Sequence, residues 1–350
     1  MKRGVSLYLD LVRFAAAMTV FLTHASGRSF TGGLFWQIGS YSQAAVMVFF
    51  VISGYVIAYV LNEKEGTPRE YVNARLARLY SVVIPALCLT AVSDNIGLSL
   101  NPAFYYDGPW GYPTDSPIPR YIATFFLTNQ FWIWGKSMEP GINVPFWSLS
   151  FEIAYYAVGA SIYFVRGPWR FVLCAAVALV AGPVIIVLSL NWFLGYAAYY
   201  VVRRIQMGRI AGWFLSLAGL LLLICAPLLR ENVSVTFMGR NILADYYEGI
   251  CFALHLVGIH FISVDLEVML SRGERLFRWL GSLTFALYLF HRPLVQVLGV
   301  LSVGSPASWQ QRIYLIGVTL LVVATIGHWC EIQKSTLRRA LSRLERIGQS

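Results

Sequence analysis

The sequence has few charged residues. Only 13% of its 350 residues are Asp, Glu, Lys or Arg, whereas soluble domains have about 25%. Hydrophobic residues make up 57% of the chain, and the mean hydropathy is +0.62. Since apolar runs of about 17 to 22 residues recur along it, the sequence excludes an ordinary soluble domain. It predicts an all-α, polytopic transmembrane helical bundle.

Several sequence patterns of common catalytic and metal sites are also absent. The five cysteines show no CxxC spacing, and none of the five histidines stands four residues from another. We therefore expect no disulfide framework and no metal. The absence of GxSxG, Walker A and GxGxxG motifs leaves hydrolase-elbow, NTPase and dinucleotide-binding functions without support.

The net charge of +10 does not indicate a nucleic-acid partner, because the Lys and Arg residues lie between the apolar runs. In a membrane protein such residues are topology signals and candidate phosphate ligands. The expected partner of the chain's surface is the lipid bilayer.

The apolar runs predict about ten membrane spans. They cover residues 6–25, 43–62, 77–95, 146–165, 171–190, 191–203, 210–229, 247–264, 279–300 and 311–331. The run at 191–203 is short for a bilayer, and the apolar piece near 121–134 is interpreted as a partial or re-entrant segment.

The distribution of basic residues predicts the topology. With both termini cytoplasmic, most of the 27 Lys and Arg residues fall on the inner side, as the positive-inside rule requires. Residues 1–333 then form the transmembrane domain and 334–350 a basic amphipathic cytoplasmic tail. The connection 93–120 lies outside; its aromatic residues suit either sugar stacking or an interfacial belt.

The first span carries three ionisable residues, Asp10, Arg13 and His24. Ionisable groups are costly in hydrocarbon, so they suggest a lined cavity; the alternative is an Asp10–Arg13 ion pair with an interfacial histidine. His24 stands about 16 Å along the helix from Arg13.

Two short segments offer a path and a clamp for a ligand. Ser53 and Gly54 interrupt a bulky apolar run, either for close helix packing or to leave room for a narrow ligand. Arg75 and Arg78 share a helix face at a span entrance, where they form a phosphate clamp or merely obey the positive-inside rule.

Polar residues also occur in the outer half of later spans. Glu152 lies at a depth comparable to that of His24, and a carboxylate beside a histidine is the usual arrangement of a general base. Tyr288 and His291 lie at similar depth in a late span, and Trp147 suits the interface. These residues together predict a polar cavity in the outer half of the membrane.

Five motifs in order resemble the acyltransferase-3 membrane family. They are Arg13-x10-His24, FFVISGY at 49–55, Arg75-x-x-Arg78, WSLSFE at 147–152 and LGSLTFALYLFHRP at 280–293. Two positions depart from the family pattern: Thr284-Phe285 replaces the common Ser-Tyr, and Tyr55 replaces a Phe.

The resemblance implies an O-acyltransferase of the polysaccharide O-acetyltransferase type in a bacterial-type inner membrane. The co-substrate would be cytoplasmic acetyl-CoA, an acyl-CoA whose phosphates meet Arg75, Arg78 and Arg13 and whose arm passes Ser53 and Gly54. His24 would be the general base, oriented by Glu152 or Asp10, with a covalent acyl-histidine as a variant. The acceptor would be an extracytoplasmic or lipid-linked glycan, to whose binding we assign the residues Trp147, Ser148, Tyr288 and His291.

Two other functions remain open at this point. A transporter of glycans or lipid-linked oligosaccharides could use the same polar groups as a path, although interrupted helices in an inverted repeat are not evident. A membrane scaffold with incidental polar packing is the second alternative.

Overall fold

The computed structural model describes the backbone of residues 1–347 and the side chains of residues 1–341. Most of this part is helical, because long apolar segments satisfy their backbone hydrogen bonds internally only as helices. The helices are α1 (Arg3–Ala25), α2 (Arg28–Thr31), α3 (Ser42–Glu63), α4 (Pro68–Leu100), α5 (Pro102–Tyr106), α6 (Pro117–Phe125), α7 (Trp147–Phe164), α8 (Trp169–Ala181), α9 (Pro183–Arg204), α10 (Arg209–Ile224), α11 (Ala226–Asn232), α12 (Ile242–Phe261), α13 (Ser263–Leu270), α14 (Glu274–Val300) and α15 (Trp309–Ile347). Short 3-10 turns occur at Trp36–Tyr41, Trp132–Trp134, Val144–Phe146 and Ser271–Gly273. Strands β1 (Thr236–Phe237) and β2 (Arg240–Asn241) pair antiparallel.

Eight segments of the described chain are long and apolar enough to cross a membrane. They are Arg3–Ala25, Trp36–Glu63, Pro68–Leu100, Pro183–Arg204, Arg209–Asn232, Ile242–Phe261, Ser263–Val300 and Trp309–Leu341. The all-α polytopic prediction is confirmed. The prediction had ten spans, and two of them are not among these eight segments. They correspond to α7, which contains Glu152, and to α8, which has only 13 residues.

Two predicted boundaries are wrong. The break between the fifth and sixth spans falls at Gly182, not at residue 190, so α9 runs unbroken from Pro183 to Arg204. Gly182 has φ of 97°, and Pro183 lies in the first turn of α9; proline favours that position because it has no N–H to leave unpaired. Likewise α4 continues to Leu100, so the connection predicted to begin at residue 93 starts later.

The predicted partial segment is confirmed in part, and the predicted tail stays a prediction. The piece near 121–134 forms no long helix; it contains the end of α6 and one 3-10 turn. The predicted tail begins within α15, which continues without a break to Ile347. Residues 348–350 of that tail lie outside the described residues, and its cytoplasmic location stays a prediction.

The chain divides into two compact units. The first unit comprises Met1–Ala16, Ser40–Thr67 and Phe151–Gly281; the second comprises Ala17–Gly39, Pro68–Ser150 and the chain from Ser282 onward. In the first unit α3, α9, α10 and α12 pack together, and in the second α4 packs on α15.

A pair of glycines allows α3 and α9 to touch backbone to backbone within the first unit. A Cβ placed on Gly54 would lie 1.9 Å from the carbonyl oxygen of Trp192, and one on Gly195 would lie 1.8 Å from that of Val51. Small residues permit such close helix crossings in membranes. Gly54 therefore serves close helix packing here, and its predicted contact with the donor stays a prediction.

The Gly54 contact gives a first testable prediction. Gly54→Ala should lower the free energy of unfolding by roughly 1 to 3 kcal/mol, because the added methyl group overpacks a backbone contact. Thermal unfolding of the purified protein in detergent measures the change. The matched control is Gly317→Ala in α15, where no atom lies within 4 Å of the added Cβ; a comparable loss in both variants would contradict the packing role.

Candidate functional site

The end of α1, which carries His24, belongs to the second unit. The helix ends at Ala25, whose carbonyl oxygen accepts a hydrogen bond from the Thr31 hydroxyl at 2.7 Å. The Thr31 carbonyl in turn accepts from Arg312 Nε of α15 at 3.0 Å. These bonds satisfy backbone groups that a helix end leaves unpaired, and they tie the segment that carries His24 to α15.

His24 contacts His291 of α14. The two rings stack with centroids 5.0 Å apart and an interplanar angle of 28°, and His24 Nδ1 lies 3.0 Å from His291 Nε2. His291 Nδ1 lies 2.9 Å from the Leu287 carbonyl. Because a carbonyl only accepts, His291 carries its hydrogen on Nδ1. When both rings are neutral, its Nε2 accepts from His24 Nδ1–H, and His24 Nε2 is left as the free base.

Arg292 lies directly against that free nitrogen. Its Nη1 is 3.1 Å from His24 Nε2, which accepts the hydrogen bond. The guanidinium also stacks over the Trp110 ring at 4.3 Å from its centroid, and Trp110 meets the His24 ring edge-on at 5.6 Å. The candidate site is thus defined by His24, His291, Arg292 and Trp110, all in the second unit.

A proline in α14 explains how a distant loop reaches this site. Pro293 has no N–H, so the carbonyl of Leu289, one turn earlier, loses its helical donor. The Asn143 side chain donates to that carbonyl at 2.8 Å and to Thr90 Oγ1 of α4 at 2.9 Å. The backbone N–H of Ile142 donates to Asp94 of α4 at 3.2 Å. The segment 138–146 is therefore fixed between α4 and α14.

The same loop carries a half-buried carboxylate, Glu139, which is close enough to Arg292 to interact with it electrostatically. Gln130 donates to its carboxylate. Burial raises the pKa of the Glu139 carboxyl above its ordinary value. Arg120 Nη1 donates to the Glu139 carbonyl at 3.3 Å, so the loop is held from both sides.

Arg75 and Arg78 lie one turn apart near the start of α4, as predicted. Arg75 is buried, with its guanidinium 5.5 Å from the Tyr71 ring centroid. From Arg78 to Thr90, which holds the loop at the site, the axis of α4 rises about 18 Å. The second unit therefore places an arginine pair and the histidine pair at separate levels.

The remaining catalytic candidates belong to the first unit, where each has partners. Asp10 binds Arg278 at 2.6 Å and Arg13 at 3.8 Å. Glu152 accepts from the Tyr156 hydroxyl one turn along α7. The predicted orientation of His24 by Glu152 or Asp10, and the binding of the donor by Arg13, stay predictions.

The other predicted ligand contacts stay predictions as well. The Ser53 hydroxyl is buried without a hydrogen-bond partner among the described residues, and the space beside Gly54 is filled by α9. In the second unit Trp147 and Ser148 are half-buried. Tyr288 is buried with its ring 6.4 Å from that of His291, so this acceptor candidate lies beside the histidine pair.

Sequence reasoning did not select Trp110, Arg292 or Glu139 as site residues. Trp110 lies in the aromatic connection whose composition suited sugar stacking as well as an interfacial belt. Arg292 is adjacent to His291 and is an ionisable residue inside an apolar helix, which is itself a signal of function. Nothing in the local sequence marks Glu139.

The arrangement suits removal of a proton from a neutral hydroxyl group. His24 supplies an unprotonated nitrogen, His291 fixes its tautomer, and Arg292 supplies a positive charge beside it. A positioned base together with a preorganised cation is what acyl transfer needs, because negative charge develops on the carbonyl oxygen.

Comparisons with known proteins found a family model and several relatives that are similar to parts of the chain. The family model of the acyltransferase-3 family, described as an acyltransferase domain, matches residues 6–327. The chain is 29% identical over 151 residues to acyltransferase MdmB of Streptomyces mycarofaciens, covering 41% of this chain and 36% of MdmB. It is 27% identical over 155 residues to the exopolysaccharide production protein ExoZ of Rhizobium meliloti (strain 1021), covering 43% of this chain and 41% of ExoZ.

These alignments span well under half the length of either relative. A third match, 37% identical over 89 residues, is protein 2 in the picA locus of Rhizobium radiobacter; it covers 24% of this chain and 44% of that protein. No solved structure gives a significant match.

The ion pairs of Asp115, in the loop near the site, predict that the stability of this loop depends on pH. Two cations hold the pKa of Asp115 below its ordinary range, with the larger effect from Arg120 and the smaller from Lys136. The Arg120 Nη2 and Lys136 Nζ atoms lie 2.7 and 2.9 Å from the Asp115 carboxylate. The ion pairs therefore stabilise the loop above the ordinary Asp pKa of about 3.9 and lose that effect as the pH falls below it. Asp115→Asn should speed amide hydrogen exchange in residues 107–137 at pH 7, and the difference from wild type should shrink below about pH 4.

Asp107→Asn is the control for this experiment. Asp107 is an exposed carboxylate in the same connection, with no ion pair among the described residues. Equal effects of the two substitutions, or a difference that grows on acidification, would refute the assignment.

Proposed function

This chain belongs to the acyltransferase-3 family, and from that membership we propose that it is an integral-membrane O-acyltransferase. It moves an acetyl group from cytoplasmic acetyl-CoA to a hydroxyl group of an extracytoplasmic or lipid-linked glycan. The observation that carries the proposal is the order of hydrogen bonds that leaves His24 Nε2 unprotonated at the end of α1.

His24 acts as the general base. Its Nε2 takes the proton of the acceptor hydroxyl while the oxygen attacks the thioester carbonyl carbon, and a tetrahedral intermediate forms. The intermediate collapses when the carbon–sulfur bond breaks, and His24 returns its proton to the thiolate. The products are an acetyl ester and free CoA, so the ring is regenerated in each cycle.

We assign the orientation of His24 to His291. Its Nε2 accepts from His24 Nδ1 at 3.0 Å, and its own tautomer is fixed by a backbone carbonyl that cannot change role. A neutral histidine in this place does the work that a carboxylate does in other catalytic sites: it holds one tautomer and one ring orientation. Asp10 is already paired with Arg278 in the first unit.

The donor phosphates bind at Arg75 and Arg78. Two guanidinium groups one turn apart offer several N–H donors to one pyrophosphate. The axis of α4 rises about 18 Å between Arg78 and Thr90. An extended thin arm of the donor can span this distance and carry the thioester towards His24. The arginine pair then marks the cytoplasmic end of α4.

The acceptor is a glycan of the cell surface or its lipid-linked precursor. ExoZ is named for exopolysaccharide production, which supports this class of acceptor, and the name of MdmB supports acyl transfer. The aromatic side chains beside the histidine pair, Trp110 and Tyr288, present ring faces and edges of the kind that pack on sugars.

Removal of the base gives the direct test. In membranes from cells that express the protein, His24→Ala should lower acetyl transfer by about 10² to 10⁴-fold, the usual contribution of a positioned general base. Transfer is measured as CoA thiol release together with base-labile acetate on the surface glycan. His291→Leu should also lower it, and His291→Gln should restore part of the activity, because the Gln side chain can again accept from His24 Nδ1–H.

His328→Ala is the matched control, since His328 is exposed on α15. Retained transfer in correctly inserted His24→Ala would refute the assignment of the base. CoA-independent movement of the glycan across the membrane by wild type would instead indicate a transporter.

The donor site has its own prediction. Arg78→Ala should raise KM for acetyl-CoA by roughly tenfold and change kcat less, because a charge-assisted contact to phosphate is made equally in the ground and transition states. Initial rates at varied acetyl-CoA measure the split. Arg69→Ala, an exposed arginine in the first turns of the same helix, should leave KM unchanged; an unchanged KM in Arg78→Ala would place the phosphates elsewhere.

A further inference from the structure

Arg292 is a buried cation whose charge is only partly compensated. Only 9% of its surface is exposed, and within the described residues no carboxylate forms an ion pair with it. Its Nε–H has no hydrogen-bond partner. Glu139 interacts with it electrostatically, and the closest polar contact is neutral, His24 Nε2.

A buried charge in such surroundings is expensive. Removing a guanidinium from water costs several kcal/mol unless an opposite charge and hydrogen bonds compensate. Stacking on Trp110 recovers part of that cost. The uncompensated remainder makes Arg292 a preorganised site for negative charge that arrives or develops later.

The position of Arg292 also has a kinetic consequence. The nitrogen to which it donates is the one that must accept a proton from the acceptor. In the resting site this nitrogen is occupied, so an acceptor hydroxyl can approach it only when the guanidinium moves off. The Trp110 face lies alongside, so a short movement over the ring suffices.

We propose that Arg292 is a second catalytic residue: it caps His24 Nε2 in the resting site, is displaced by the acceptor hydroxyl, and then donates to the oxyanion of the tetrahedral intermediate. This proposal rests on the proposed acyl-transfer function. The hydroxyl proton passes to His24 Nε2, the thioester carbonyl oxygen takes the negative charge, and Arg292 keeps all its protons throughout. When the carbon–sulfur bond breaks, the charge leaves with the thiolate, which is protonated by His24, and Arg292 returns to the nitrogen.

The capping half of the proposal can be tested without any acyl donor. Diethyl pyrocarbonate acylates unprotonated imidazole nitrogens, and peptide mass spectrometry locates the product. At pH 8 the Arg292→Met variant should carbethoxylate at His24 roughly tenfold faster than wild type, because a hydrogen bond from a charged donor is lost. Arg292→Lys keeps a cationic donor and should stay close to wild type.

Arg170→Met is the matched control for these variants. Arg170 stacks on Phe171 at 5.6 Å and donates to the backbone carbonyl of Gly167 at 3.2 Å, so its loss removes a stacked arginine that has no contact with His24. His24 should react in this variant as in wild type. The exposed His328 should react equally in all variants, which confirms that the reagent is equally available.

The oxyanion half is tested by kinetics. Arg292→Met should lower kcat by about 10² to 10³-fold, the usual effect of losing one oxyanion donor, while KM for acetyl-CoA stays within about twofold because the donor phosphates bind elsewhere. Arg292→Lys should lose less. A merely structural arginine would reduce the amount of folded protein without this split between kcat and KM.

Each outcome has a definite meaning. Unchanged His24 reactivity in Arg292→Met overturns the capping role. Faster carbethoxylation with an unchanged kcat overturns the oxyanion role. If wild type transfers no acetyl group to any glycan, the proposed function and the oxyanion role fail together, while the carbethoxylation rates still decide whether Arg292 caps the histidine.

Discussion

The hydrogen bond from His291 Nδ1 to the Leu287 carbonyl is the constraint on which the chemistry of the site depends. A backbone carbonyl within a helix cannot become a donor, so it determines where the hydrogens of His291 and then His24 reside. The hydrogen bonds therefore run in one direction, from His24 to His291 to the Leu287 carbonyl, and they leave His24 Nε2 as an unprotonated basic nitrogen. Because this order is set by the backbone, it needs no buried carboxylate, and none has to be desolvated to supply it.

A single proline in α14 allows a loop to pack beside the site. Where Pro293 removes an N–H from α14, the Leu289 carbonyl accepts from Asn143 instead, and the loop that carries Glu139 is fixed beside the histidines. The His-Arg-Pro sequence thus has three separate uses: a ring that fixes a tautomer, a cation, and a gap in the helix that a loop fills. One of these three uses depends on the hydrogen bonding of the helix backbone and not on a side chain.

The sequence predicted those features that local patterns encode. Span positions follow from apolar length, and the small size of Gly54 between bulky neighbours indicated either close packing or room for a narrow ligand. The break at Gly182 was missed because the surrounding apolar run continues through it. The Trp110 contact with His24 depends on closure of a long connection, which no local pattern specifies. Adjacent helix positions point about 100° apart, so adjacency did not predict that His291 and Arg292 both reach one ring; the long Arg292 side chain makes that possible.

Charge pairing elsewhere in the chain shows why Arg292 is unusual. Arg230 binds Asp245 at 2.6 Å and Glu248 at 2.9 Å, and Arg278 binds Asp10 at 2.6 Å. These arginines are compensated by carboxylates, which is the ordinary solution for a partly buried guanidinium. Arg292 instead faces an aromatic ring and a neutral base. A fixed carboxylate at that point would bind the guanidinium permanently and would neutralise the charge that acyl transfer needs. Glu139 interacts with Arg292 electrostatically but forms no ion pair with it among the described residues, so the guanidinium stays available for the negative charge that the proposed reaction itself produces.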